Sequence, residues 1–235
     1  MHPSDTVMRE LAQAADPEKA AFLPRFFKTG PGEYAEGDRF LGVTVPLQRR
    51  IAKRHRDMPL AELEALVRSP IHEHRFTGFL ILIEQFQAAE APTRARLFAF
   101  CRKHLKQLNN WDLVDLVAPK LIGAHLIEHP ELRPMLHTFA GSPSLWRRRI
   151  AIITTQAFIR RRDLQETLVL AERLLDDPHD LIHKAVGWML REVGQKDLTA
   201  LESFLERHAQ RMPRTMLRYA LERLPPQRRQ DFMAR

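Results

Sequence analysis

Pro143, Pro178 and Pro213 stand 35 residues apart, and Pro70 precedes Pro143 by 73, close to two further periods. Ser69, Ser142 and Asp177 each sit directly before one of these prolines. A short side-chain acceptor followed by proline is favoured at the N-cap and first position of a helix. There the side chain takes an orphan N–H and the ring presets φ. Apolar residues at helical spacing follow, and Ile182, Ala185, Val186, Met189 and Val193 form the clearest run. The fifth position after the proline holds Arg75, Arg148 and Arg218 in three cases and His183 in the fourth. A period of this length, with two helices per unit, predicts an all-α chain arranged as an α-solenoid of stacked helical repeats with a concave, basic face. Similarity between units is faint, so evenly spaced ordinary helices are the alternative, and they give the same class. No alternating β-branched run supports a strand. The expected long loop is Lys28 to Arg39, with Gly30-Pro31-Gly32 and Gly37-Asp38. No boundary stands out, and residues 1–235 read as a single domain.

Composition narrows the function. Of 235 residues, 44% are hydrophobic and 28% charged, the balance of a globular chain rather than a disordered one. The lone cysteine, Cys101, makes neither an internal disulfide nor a cysteine zinc cluster, so a reducing cytosol is the expected home and a small core residue the expected role. The start, Met1-His2-Pro3-Ser4-Asp5, lacks the basic-then-apolar run of a secretory signal. The apolar stretch Phe79-Leu80-Ile81-Leu82-Ile83 ends at Glu84, well short of the ~18 residues that span a bilayer. The formal charge is +8, and from Gly141 onward 18 basic against 12 acidic side chains account for +6 of it. A basic balance concentrated toward one end points to a polyanionic partner, nucleic acid first, with solvated helix-surface arginines as the alternative.

Helical geometry then sorts the side chains by face. After Pro178, Lys184, Trp188 and Arg191 share a stripe at i, i+4, i+7, away from the apolar one. A tryptophan flanked by two cations reads as exposed rather than core, against the alternative of packing on a neighbouring helix. Arg149 lies six residues after Pro143 as Lys184 lies six after Pro178, so stacked repeats point the two the same way. The planar guanidinium suits phosphate well. In Asn109-Asn110-Trp111-Asp112-Leu113-Val114-Asp115, Asn110 reads as an N-cap and Asp112 as a first-turn acid favoured by the helix dipole. Asp115 lies beyond that turn and four residues after Trp111, which places an indole and a carboxylate on one face. Packing plus a surface ion pair is the alternative for that pair. His125 and His129 share i, i+4 spacing but show no third ligand, so no metal is expected.

Trp111 to Asp115, then His129-Pro130-Glu131-Leu132, then Trp146 to Arg149, then Lys184 to Glu192 resemble, in order and spacing, the bacterial AlkD-type DNA alkylation-repair proteins. These are alkylpurine DNA glycosylases built from HEAT-like helical repeats. The resemblance is strongest from Asn109 to Gly194. It implies that Asp115 is catalytic, and that Trp111, Arg149 and Trp188 line a cleft near the lesion. A tyrosine of the family cleft falls near Phe26 here, and an aromatic often found before the site tryptophan is Asn110. Arg148, Arg149, Lys184, Arg191, Arg214 and Arg218 are the candidate contacts to the DNA backbone, each neutralised phosphate adding to the salt dependence of binding. The implied partner is double-stranded DNA carrying alkylated purines, bound by a monomer without a cofactor in the bacterial cytosol or nucleoid. Two other readings remain open at this point. A non-catalytic relative would grip bent or branched DNA and release no base, and a protein-interaction scaffold would show no DNA affinity.

Overall fold

The computed structural model describes residues 2–234, which form helices and their connections with no strand among them. The class is all-α, consistent with a helical-repeat solenoid. The chain folds as two compact units, residues 1–117 and 118–235.

The first unit is organised on α5 (His72–Ala88). From His72 to Ile83 this helix is buried at every position, which explains why its sequence shows no polar face. It is covered by α3 (Val45–Arg54), α4 (Leu60–Val67), α6 (Ala91–Lys103) and α7 (Trp111–Val117), with α1 (Pro3–Gln13) against α3, α4 and α5. The remaining helix, α2 (Pro17–Phe27), ends on Lys28 in the left-handed region and leads into the long loop expected there. That loop is anchored at its far end. Glu73 at the start of α5 accepts the N–H groups of Leu41 and Gly42 at 3.0 and 2.8 Å. Gly42 has φ +80°, and a Cβ there would collide with the backbone of Asp16 and Ala20, so only glycine fits. An isolated bridge between Arg39 and Ile71 completes the attachment.

The second unit opens with a π-helical turn, Ala118–Gly123, and α8 (Ala124–Glu128). Then come α9 (Pro134–Ala140), α10 (Leu145–Thr154), α11 (Gln156–Arg160), α12 (Gln165–Arg173), α13 (Asp180–Lys196), α14 (Leu198–His208), α15 (Arg214–Ala220) and α16 (Pro226–Met233). Here α13 is central and touches α10, α11, α12, α14 and, most extensively, α15. Ile182, Ala185, Val186, Met189 and Val193 are all fully buried, as their spacing predicts. The approach of α13 to α15 requires Gly187, because a Cβ there would meet the Met216 carbonyl and lie 2.6 Å from Tyr219 Cβ. No helix among the described residues is long and apolar enough to cross a membrane.

The proline repeat has a structural counterpart, with one correction. The helices begin at His72, Leu145 and Asp180, two residues beyond the proline, so Ser69, Ser142 and Asp177 are not N-caps. Each instead closes a short turn. Its side chain accepts the N–H of the residue two positions on, Ile71, Ser144 or His179, at 3.1, 3.2 and 2.9 Å. This local bond competes with helix formation and delays the first turn past the proline. In these three units the residue five positions after the proline reaches back to the carbonyl that precedes it, whereas Pro213 stands directly before α15 (Arg214–Ala220). Arg75 donates to Ser69 O at 3.0 Å, Arg148 to Ser142 O at 3.1 Å, and His183 to Asp177 O. The recurring Arg/Arg/His is therefore a hook that closes the turn before a helix.

Candidate functional site

In the first unit, α7 starts where the Val114 N–H donates to the Asn110 carbonyl at 3.1 Å, and Asn110 Oδ1 accepts the Trp111 N–H at 2.8 Å. The sequence reading of Asn110 as the residue that opens this helix holds. Trp111 and Asp115 lie one turn apart on α7, and both are half-buried. The indole is held by two rings from α2: Phe27 stacks on it at 5.4 Å and 25°, and Phe26 meets it edge-on at 5.7 Å and 70°. Phe27 is itself sandwiched by Phe40 at 5.2 Å. Phe26 also meets Phe27 at 5.0 Å and 86°, and remains 51% exposed. Beside it, Pro24, Arg25, Lys28, Thr29, Gly30 and Glu33 line an open surface pocket of about 540 Å³.

Beneath these rings lies a charged network that sequence spacing did not reveal. His72, the first residue of α5, places Nε2 2.8 Å from Asp112 Oδ2 and Nδ1 3.0 Å from Asp38 Oδ2. Arg75 pairs with the other oxygen of Asp38, and Asn110 Nδ2 donates to Asp38 at 3.4 Å. Asp112 also accepts the Leu113 N–H at 2.8 Å, so its dipole role stands alongside a second bond to another helix. Burial opposes a charged imidazole, but Asp112 and Asp38 outweigh it and push the His72 pKa up to about 9. Burial likewise favours a neutral Asp38, yet His72 and Arg75 hold its carboxyl below the usual range. Next to them His74 is kept neutral at pH 7: burial, aided by Arg75, pushes it down to about 4. His72 therefore donates from both nitrogens at neutral pH.

In the second unit, α10 clamps the entry to α13. Arg148 forks onto Asp177 at 2.5 and 3.4 Å and donates to the Ser142 and Pro143 carbonyls. Arg149 is only 5% exposed and donates to the Leu181 carbonyl at 2.6 Å. Both guanidiniums are engaged within the unit, and Arg149 of α10 reaches the first turn of α13, the helix that carries Lys184. Along α13, Lys184 pairs with Asp180 at 2.7 Å, and the half-buried Trp188 donates from Nε1 to Glu192 at 3.1 Å. Arg191 pairs with Glu222 and lies 3.6 Å from Glu192. On α15, Arg214 is exposed and donates to the Met233 carbonyl at 2.9 Å, and Arg218 is exposed as well.

Two more sequence readings concern chemistry. Cys101 is fully buried, and burial pushes its thiol up to about 12, as befits a small inert core residue. The His125 and His129 rings lie 4.3 Å apart, and no group of three or more His, Cys, Asp or Glu suited to a metal occurs among the described residues. Asp38, His72 and Phe27 are the residues that sequence reasoning missed. Asp38 comes from a loop and His72 from a helix 34 positions later, so no local spacing announces them.

No curated protein matches the chain. Among solved structures, it is similar to a protein of Enterococcus faecalis described as a predicted DNA alkylation repair enzyme. That match has TM-score 0.71 and 18% identity, covering 90% of this chain and 97% of the other. It is also similar to smu.31 of Streptococcus mutans UA159, with TM-score 0.55 and 14% identity, covering 95% of this chain and all of that one. At such identities these likenesses speak to fold alone. The family model for DNA alkylation repair enzymes matches residues 7–224, and the chain belongs to that family.

Proposed function

We propose that this family member is a DNA glycosylase that hydrolyses the N-glycosidic bond of cationic N7- or N3-alkylated purines in duplex DNA. The observation that carries the reading is the placement of Trp111 and Asp115 on one turn of α7, a helix fixed by stacked rings above and a charged network below. A group that stabilises a transition state does so best when it is already oriented and costs no reorganisation.

The chemistry follows from the substrate. Alkylation at N7 or N3 puts positive charge on the base, which makes it a good leaving group and reduces the need for a general acid. As the C1′–N bond breaks, positive charge develops on the deoxyribose in an oxocarbenium-like transition state. One carboxylate then suffices where other glycoside hydrolysis uses two. Asp115 supplies it, facing the sugar and orienting the attacking water. Water adds to C1′ and loses a proton, and the base departs with the bond's electrons as a neutral purine. Trp111 and Phe26 offer apolar surface to the deoxyribose. Lys184, Arg191, Arg214 and Arg218 are the proposed phosphate contacts. Arg148 and Arg149 act mainly by fixing the start of α13, since one holds Asp177 just before it and the other the Leu181 carbonyl in its first turn.

The test is incubation of the protein with N-methylated duplex DNA and chromatography of the supernatant. Release of free 7-methylguanine or 3-methyladenine is the expected result. DNA binding without release would select the non-catalytic reading, and absence of both would remove DNA as the partner.

A further inference from the structure

We propose that His72 is a positioning residue for this reaction: by bridging Asp38 and Asp112 it locks the first turn of α7 and so sets the direction of Trp111 and Asp115. The inference rests on the glycosylase reading and adds to it a residue distant in sequence that acts through Asp112 and Phe27. Its basis is geometric. His72 is 3% exposed and makes two hydrogen bonds of 2.8 and 3.0 Å to carboxylates from two different segments. One of these, Asp112, is adjacent to Trp111 and three residues before Asp115. The same imidazole packs on Phe27 at 5.1 Å and on Phe40 at 5.0 Å, and Phe27 is the ring that stacks on Trp111. One side chain therefore holds the backbone of the α7 first turn through Asp112 and the indole through Phe27.

The bridge needs an imidazolium. A neutral ring has one donor and one acceptor, so a carboxylate on the acceptor side meets a lone pair and the link on that side is lost. The charged groups that face the ring are Asp38 from the loop and Asp112 from α7, with Arg75 of α5 beyond Asp38. From α2 and from residue 40 only phenyl rings meet it. Both carboxylates favour the proton, which keeps the bridge intact across the neutral range. Loosening it should misplace Asp115 by a fraction of an ångström to an ångström, the scale at which rates fall ~100-fold.

The experiment measures single-turnover base release from methylated duplex DNA between pH 7 and 10 for the wild type and His72→Gln. Dissociation constants for undamaged duplex and the 15N spectrum of histidine-labelled wild type are recorded beside it. The expected result is a ~10- to 100-fold slower release by His72→Gln at pH 7.5 with unchanged duplex affinity. The wild-type rate should fall with a midpoint near pH 9, and the His72 ring nitrogens should both carry protons below it. The variant's own profile corrects for alkaline chemistry of the substrate and should lack that midpoint. A merely structural histidine would lower the melting temperature yet leave the rate and its pH profile as in the wild type, and that outcome overturns the proposal. So does a neutral His72 at pH 7.5 in the wild-type spectrum, which can be read even where His72→Gln does not fold. A wild type that releases no base at any pH is a different failure: it removes the glycosylase reading and the positioning role with it.

Discussion

His72 Nε2 lies 2.8 Å from Asp112 Oδ2, so the helix that carries Trp111 and Asp115 is tied at its first turn to the first residue of a helix buried along most of its length. An isolated helix of seven residues would fray. Anchored in this way, it presents an indole and a carboxylate with little freedom.

Folding stability should depend on pH through this pair. The His72 pKa is raised from 6.5 to about 9, so its contribution is fully present below pH 6.5 and is lost as pH rises through 9. The shift corresponds to at most about 3 kcal/mol. Asp38 has the opposite sign: its lowered pKa contributes stability above 3.8 that is lost as pH falls. Urea midpoints measured from pH 3 to 10 should form a plateau with both shoulders. His72→Gln should abolish the alkaline shoulder, and an unchanged shoulder in that variant would assign it to other groups.

Arg148→Ala should destabilise the fold by about 3 kcal/mol, because it strands the buried Asp177 carboxylate and two carbonyls. Arg148→Lys should recover little of this, since an ammonium cannot fork onto Asp177 while reaching Ser142 O. Denaturant titration of the two variants checks the claim. Stability restored to the wild-type value by lysine would show that charge alone matters there.

Duplex affinity should fall with salt, each phosphate neutralised adding about 0.9 to the log–log slope. Arg218→Ala and Lys184→Ala should each reduce the slope by about that amount. Arg148→Ala should leave it unchanged, because its guanidinium is largely buried against Asp177, whereas the Lys184 side chain stays exposed beside Asp180. Slopes measured by fluorescence anisotropy across a salt series decide this, and a flat wild-type profile would contradict DNA binding.

Gly187→Ala should cost about 1–3 kcal/mol by overpacking the contact of α13 with α15. Thermal denaturation reads the effect, and a variant as stable as the wild type would mean that the helices separate freely.

Much of the helical arrangement was legible in the sequence because it rests on local rules. Spacing placed Ile182, Ala185, Val186, Met189 and Val193 inside and put Trp111 and Asp115 on one face. The proline period marked equivalent positions at Pro70, Pro143 and Pro178 while misplacing the helix starts there by two residues, since Ser69, Ser142 and Asp177 spend their side chains on turns; Pro213 departs, standing directly before α15. The loop from Lys28 was legible from its glycines, but its task of delivering Asp38 to His72 was not. Nor could consecutive arginines be sorted: Arg147 is exposed over Phe139, Arg148 is paired and Arg149 is buried. Such partners are set by tertiary contact, which residue spacing does not encode.

The most direct measurement compares wild type and Asp115→Asn, with matched folding and duplex affinity, for release of 7-methylguanine from methylated DNA under single-turnover conditions. The account predicts that the amide, which carries no charge to stabilise the cationic sugar, slows release by at least ~100-fold while binding is preserved. Release by Asp115→Asn at the wild-type rate would contradict it.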